Sequence, residues 1–204
     1  MKKKLRWIII LIFCLASVSS NLPVSQGTAK SVTGSVSQTR AGTALTSLEG
    51  RELRQDMVYD PLIEQYLLVY EYVADAGEGF SYAIQAQLIT SDGIPINSPI
   101  MISGPDGSVR QNPAVAYNST AGEFLVIWDQ EYAPTDHDIY VQRVDTAGEL
   151  VGGVIMVDYT TQDDSLPDLV YNPVSGEYLA VWERYHTEQS EVYAQRLDGS
   201  GNPV

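Results

Sequence analysis

The side chains of this sequence best suited to chemistry are carboxylates that cluster in two short segments. Asp136 and Asp138 flank His137, and Asp75 and Glu78 lie in an earlier polar segment. Calcium prefers several oxygen ligands, so these four carboxylates are calcium candidates. Two aspartates supply too few ligands alone, and the glycine and terminal glutamate of an EF-hand loop are missing. Solvated loops are the alternative interpretation.

Other site chemistries find little support in the sequence. His137 and His186 each lack a second histidine nearby, so a zinc site is not expected. There is no GxSxG elbow, no HExxH helix and no phosphate loop. Carboxylate pairs are abundant, but without geometry they do not indicate glycosidase chemistry. The sequence therefore predicts no catalytic residue and no cofactor, with calcium the one ion to consider.

The first fifty residues predict export. Residues 1–20 resemble a secretory signal peptide, since four basic residues among the first six precede an apolar run too short to span a bilayer. An uncleaved anchor is the alternative. Residues 21–50 are rich in Ser, Thr, Gly and Ala and are interpreted as a flexible leader. Cys14 is the only cysteine, so the mature chain would hold no disulfide. We expect a secreted or cell-envelope protein with no membrane span after cleavage.

The charge balance restricts the class of partner. The whole chain carries a formal charge of -14; without residues 1–20, eight Lys and Arg remain against 26 Asp and Glu, a charge of -18. Such a surface repels phosphate backbones, so we expect no nucleic-acid partner. It attracts cations and basic partners, unless it serves solubility alone.

A segment of about 54 residues recurs from Glu52 to the C-terminus. The clearest pair is PAVAYNSTAGEFLVIW, residues 113–128, and PDLVYNPVSGEYLAVW, residues 167–182. A repeat this short must stack on its neighbours to bury its apolar faces. We place the repeats at residues 51–108, 109–161 and 162–204, the third being incomplete. The positions expected to maintain each repeat are Tyr117, Trp128, Arg143, Tyr171, Trp182 and Arg196.

Each repeat is predicted to form four short antiparallel strands with almost no helix. In residues 124–128 both alternating sets are apolar, so this strand is expected to be covered on both faces. Loops are predicted between the second and third strands, at residues 71–81, 129–138 and 183–191. Together with the inter-repeat loops they would form one acidic rim.

An acid follows the second strand of each repeat. These acids are Glu71, Asp129 and Glu183. We interpret them as structural partners of Arg143 and Arg196 on the neighbouring third strand. The first repeat has leucine instead of that arginine, so Glu71 would lack such a partner.

The motifs YN...GE(F/Y)L.VW and (I/V)Y.QR(V/L)D..G resemble the repeats of secreted bacterial β-propeller proteins, broadly the TolB-like and WD40-like propeller repeats. The resemblance covers residues 52–204. It implies an all-β fold of four-stranded antiparallel propeller blades. Closed propellers need about four to eight blades, so about three repeats predict an incomplete propeller, as a fragment or as copies that associate.

The function expected from this resemblance is a secreted, non-catalytic binding or cell-surface interaction module. Its partner would be a protein or carbohydrate ligand at the acidic rim, or a second copy meeting it through open blade edges. The alternative is a fragment of a larger propeller-containing extracellular enzyme whose catalytic residues lie outside this chain. A degraded gene remnant is a third interpretation.

Overall fold

The computed structural model describes residues 42, 44–46, 50–77 and 79–204. The predicted signal peptide and most of the predicted leader lie outside these residues. All regular structure in the described part is β-strand. Within the same residues, no helix has the length and apolarity needed to cross a bilayer.

The strands form three successive antiparallel units, which we call blades 1 to 3; a single parallel bridge joins blades 2 and 3 into one seven-stranded sheet. Blade 1 contains β1 (Arg51–Asp60), β2 (Gln65–Asp75), β3 (Phe80–Thr90) and β4 (Pro95–Ser103), hydrogen-bonded in that order. Blade 2 contains β5 (Arg110–Asn118), β6 (Glu123–Ala133), β7 (Asp136–Asp145) and β8 (Leu150–Asp158). Blade 3 contains β9 (Asp163–Asn172), β10 (Glu177–His186) and β11 (Gln189–Leu197). The predicted all-β class with four-stranded antiparallel units is confirmed.

The strands are longer, and the loops shorter, than the sequence predicts. Strands replace most of the loops expected at residues 71–81, 129–138 and 183–191. β2 continues to Asp75 and β3 begins at Phe80, and the other two connections reduce to residues 134–135 and 187–188. The error has a physical cause. Carboxylates usually lie at the surface, but Glu71 and Asp129 are strand residues whose buried side chains accept hydrogen bonds at a blade junction.

Two apolar layers hold the blades together, one between blades 1 and 2 and one between blades 2 and 3. β6 serves both layers, because Phe124, Val126 and Trp128 face blade 1 while Leu125 and Ile127 face blade 3. All five side chains are fully buried, which contributes roughly 1.5–3 kcal/mol each. We call the side of each blade that faces the following blade its rear face.

The aromatic repeat residues stack within their own blades. Trp128 lies on Tyr140 with ring centroids 6.1 Å apart, and Trp182 lies on Tyr193 at 6.4 Å. Tyr117 packs against Phe124 in blade 2. In blade 3, Tyr171 packs against Tyr178, and its hydroxyl donates a hydrogen bond to Thr120 of blade 2.

The repeated arginines do pair with carboxylates, but not with those expected. Arg143 forms a two-bond pair with Glu123, at 2.8 and 3.1 Å, and Arg196 forms one with Glu177, at 3.0 and 2.6 Å. These acids begin the second strand, whereas the predicted partners lie several residues further along it. Blade 1 has Gln65 and Leu88 at the two positions, so it lacks both members of the pair.

A repeated glutamine joins the third strand of each blade to the fourth. Gln87 donates to the carbonyls of Leu88 and Ile96, and Gln142 donates to those of Arg143 and Val151. Gln195 donates in the same way to the carbonyls of Arg196 and Val204. In blade 3, Val204 thus accepts the hydrogen bond that a fourth-strand residue accepts in blades 1 and 2.

Candidate functional site

The junction between blades 2 and 3 gathers charged and hydroxyl side chains on one rim of the fold. This rim carries the β6–β7 turn, the β8–β9 connection and the β10–β11 turn. At its inner edge β7 and β9 meet through a single parallel bridge between His137 and Asp163. The Nδ1 atom of His137 lies 2.6 Å from Oδ1 of Asp163, so a hydrogen bond ties the two blades together.

A cleft of about 510 Å³ opens on this rim. Its volume falls within the 300–1,000 Å³ usual for small-molecule sites. Tyr185 supplies an aromatic surface that is 49% exposed, and the other lining groups are polar. The lining residues are Thr135, Thr161, Gln162, Asp163, Tyr185, His186 and Thr187.

Two further tyrosines stand on blade 2 at the same rim. Tyr132, near the end of β6, and Tyr159, just after β8, are both mostly exposed. Their rings meet edge to face with centroids 6.5 Å apart. An exposed aromatic pair beside a polar cleft offers apolar contact surface next to hydrogen-bonding groups.

A buried arginine lies under the rim. Arg184 of β10 binds Asp164 through two hydrogen bonds, at 2.6 and 2.7 Å, and also pairs with Asp158 at the end of β8. Its guanidinium carbon lies 4.0 Å from the ring centroid of Tyr193. The Arg184 charge therefore neutralises carboxylates of blades 2 and 3 where the two blades meet.

The three calcium candidates that the structure describes, Asp75, Asp136 and Asp138, do not form a three-ligand group within that part of the chain. Asp138 is fully buried on β7, and its Oδ1 accepts the amide of Thr160 at 3.2 Å. Asp136 begins β7, and Asp75 ends β2, where its Oδ1 accepts the amide of Gly77 at 2.8 Å. Glu78 lies outside the described residues. Across the described part of the chain, no three His, Cys, Asp or Glu side chains are grouped to hold a metal ion, and calcium stays a prediction.

Two of the three acids that were predicted to follow the second strands, Glu71 and Asp129, join one blade to the next, which the sequence did not reveal. Oε1 of Glu71 accepts the backbone amide of Asn112 at 2.8 Å, and Oδ1 of Asp129 accepts that of Leu166 at 3.2 Å. We call this carboxylate-to-amide bond the blade latch. Asn112 and Leu166 lie at bulges of β5 and β9, with φ of 52° and 54°.

Side chains within the same blade also satisfy the latch acids. The Nη1 atom of Arg54 donates to both oxygens of Glu71, at 2.7 and 2.9 Å. The side-chain amide of Asn112 donates to Asp129 at 2.7 Å.

Burial nevertheless raises the pKa of Asp129 to about 6, although Asn112, His137 and Leu166 act to lower it. Burial also raises the pKa of Asp138.

No family model and no curated protein matches this chain. Several solved structures resemble it at low sequence identity. An N-acetylgalactosamine deacetylase from F. plautii, solved with blood group B trisaccharide, aligns with a TM-score of 0.58 and 12% identity, over 77% of this chain and 52% of its own. An α-L-arabinofuranosidase from Lactobacillus brevis aligns with a TM-score of 0.56 and 13% identity, over 79% and 57%. A thermostable family-43 glycoside hydrolase aligns with a TM-score of 0.56 and 15% identity, over 78% and 59%.

At these identities the likeness shows the fold alone. Family-43 glycoside hydrolases are five-bladed β-propellers, so the propeller-type fold predicted from the repeats is confirmed. This chain spans between half and three fifths of the length of these structures, consistent with an incomplete propeller. The finer resemblance to TolB-like or WD40-like repeats has no family match behind it and stays a prediction.

Proposed function

We propose that this chain supplies three blades of a secreted or envelope-attached β-propeller that binds carbohydrate. The observation that carries the proposal is the cleft between blades 2 and 3. A sugar presents hydroxyls on its edges and apolar C–H groups on its faces. Thr135 and Gln162 can donate to or accept from hydroxyls, and Asp163 can accept from them, while the ring of Tyr185 offers a surface for a sugar face.

Similar solved structures support the carbohydrate class by analogy. Two act on glycosides by name, and the deacetylase was solved with a trisaccharide. Likeness of fold is an associational argument, because one fold serves many functions. The lining of the cleft is therefore the primary support, and the similar structures narrow the ligand class.

A second candidate function is a carbohydrate-active enzyme to which this chain contributes part of the propeller. The two glycoside hydrolases of similar fold favour it. With a pKa of about 6, Asp129 has the proton affinity of a general acid, but it is 1% exposed and bonded to Asn112 and Leu166. We assign Asp129 to the blade junction. In this version the reacting carboxylates would belong to blades beyond these three.

Binding to a glycan panel of arabinan, galactan and N-acetylgalactosamine oligosaccharides tests the proposal. Tyr185→Ala should weaken binding about two- to twelvefold, since an aromatic contact is worth about 0.5–1.5 kcal/mol. Tyr59→Ala is the matched control, because Tyr59 is also a partly exposed tyrosine but lies near the β1–β2 turn on the opposite rim. Binding to no glycan, or equal loss in both variants, would contradict the proposed carbohydrate site. Release of reducing sugar from the same panel would favour the enzyme.

A further inference from the structure

The blade latch has two complete copies and one half copy. Glu71 and Asp129 are both 1% exposed, and each accepts an amide from the following blade. Glu183 occupies the same position of β10 in blade 3 but is exposed. Among the described residues, the Glu183 carboxylate has no hydrogen-bond or ion-pair partner, although its backbone is paired within the sheet. This acceptor therefore has no donor within the three blades.

The rear face of blade 3 repeats the chemistry of the rear face of blade 2. Leu179 corresponds to Leu125, and Val181 corresponds to Ile127. Leu125 is fully buried between blades 2 and 3, whereas Leu179 is 44% exposed. Val170 and Val192 add further apolar surface at 60% and 77% exposure. Blade 3 therefore has the same apolar rear face that blade 2 buries against blade 3, but in blade 3 this face is exposed to solvent.

The edge strand of blade 3, β11, already pairs with two residues in fourth-strand positions. Val204 donates its amide to the carbonyl of Arg196 at 3.0 Å, and Pro203 bridges to Leu197. Pro203 and Val204 occupy the places that Leu150 and Val151 occupy in β8. A fourth strand continuing from Val204 would therefore pair with β11 as β8 pairs with β7.

We propose that the rear face of blade 3 binds a further blade of this same repeat, whose first-strand bulge amide donates to Glu183. A complete second copy of the chain is the poorer occupant. Three blades of a five-bladed ring leave room for two more, whereas a second copy would bring three. The inference rests on the propeller architecture of the proposed function but not on its carbohydrate ligand, so stability and glycan binding can fail separately.

The repeat supplies the blade needed to test this proposal. A second copy of residues 152–204 is joined after Val204 of the full chain, so that Gly152 continues the strand that Pro203 and Val204 begin. The added residues complete blade 3 and form a fourth blade that carries the Leu166 bulge. In this extended chain Glu183→Ala should lower the thermal midpoint by at least about 5 °C, because a buried amide loses its acceptor.

In the unextended chain Glu183→Ala should shift the midpoint by less than about 2 °C, as expected for a surface site. Glu188→Ala, an exposed acid in the β10–β11 turn, is the control and should have little effect in either chain. Equal shifts for Glu183→Ala in both chains would overturn the proposal.

A second measurement tests the proposal without the extended chain, in case that chain does not fold. In the unextended chain, Leu179→Lys should reduce binding of an apolar fluorescent dye by at least half and leave the thermal midpoint unchanged. Val174→Lys, a change at a 94% exposed turn residue, should leave dye binding unchanged. A large fall in the midpoint for Leu179→Lys would show that this face is already covered, and the proposal would be wrong.

Discussion

Glu71 of blade 1 accepts a 2.8 Å hydrogen bond from the backbone amide of Asn112 in blade 2. The carboxylate is 1% exposed, and Asn112 lies in the left-handed region with φ of 52°. A buried charge in one blade thus satisfies the amide at a bulge in the next. Asp129 and Leu166 repeat this relationship at the second junction, so blade stacking has a polar component as well as an apolar one.

Glu71→Ala should lower the free energy of unfolding by about 1–3 kcal/mol, because the buried amide of Asn112 loses its acceptor. Arg54 loses its carboxylate partner in the same variant. Urea denaturation measures the change. Glu183→Ala is the matched control at the equivalent position of blade 3 and should change stability by less than about 0.5 kcal/mol. A similar loss in both variants would show that the latch does not depend on the following blade.

Asp129→Asn should remove a pH dependence of stability. The pKa of Asp129 rises from 3.8 to about 6 on folding, so the folded chain binds a proton more tightly than the unfolded chain. Its contribution to stability is therefore greatest at acidic pH and is lost as the pH rises through the folded pKa of about 6.

Between pH 4 and pH 7 the variant should gain on the order of 3 kcal/mol relative to the parent, at about 1.4 kcal/mol per pKa unit. Urea denaturation across this range measures the difference, with Glu188→Gln as an exposed-acid control. A constant difference between variant and parent would contradict the raised pKa.

Leu125→Ala and Leu179→Ala compare one repeat position in two surroundings. Leu125 is fully buried between blades 2 and 3, and its truncation should cost about 2–5 kcal/mol. Leu179 is 44% exposed, and its truncation should cost less than about 1 kcal/mol. Chemical denaturation separates the two values, and equal costs would show that the rear face of blade 3 is covered.

Arg184→Met should lower the free energy of unfolding by about 3–5 kcal/mol, since it leaves the buried Asp164 carboxylate without its cation. Arg196→Met is the control, because the Arg196 side chain is 60% exposed and its pair with Glu177 is open to solvent. The control should leave the unfolding midpoint almost unchanged. Comparable midpoints for the two variants would mean that Arg184 does not hold blades 2 and 3 together.

Repetition within one chain made the architecture predictable. The spacing of Tyr117, Trp128 and their counterparts Tyr171 and Trp182 predicted the stacked blades, and the apolar pattern of β6 predicted cover on both faces. Such patterns are local, because side chains alternate along a strand and a short repeat must bury its faces on its neighbours.

The sequence predicted less of the candidate site than of the fold. The acidic rim was predicted, but Asp136 and Asp138 were expected in a loop and instead lie in β7. The cleft brings together turns that are about 25 residues apart, from Thr135 through Thr161 to Thr187. No local pattern marks side chains that meet only after blades 2 and 3 stack.

What the sequence determined by itself is the all-β class, the blade repeat and the positions of the packing aromatics. Only the tertiary structure decided which carboxylates are paired, which are buried and which remain exposed. Glu71, Asp129 and Glu183 follow the same motif, yet two are buried acceptors and one faces solvent. The difference arises because a latch acid is satisfied by the backbone of the next blade, and the two donating bulge residues, Asn112 and Leu166, share no residue type that marks the position.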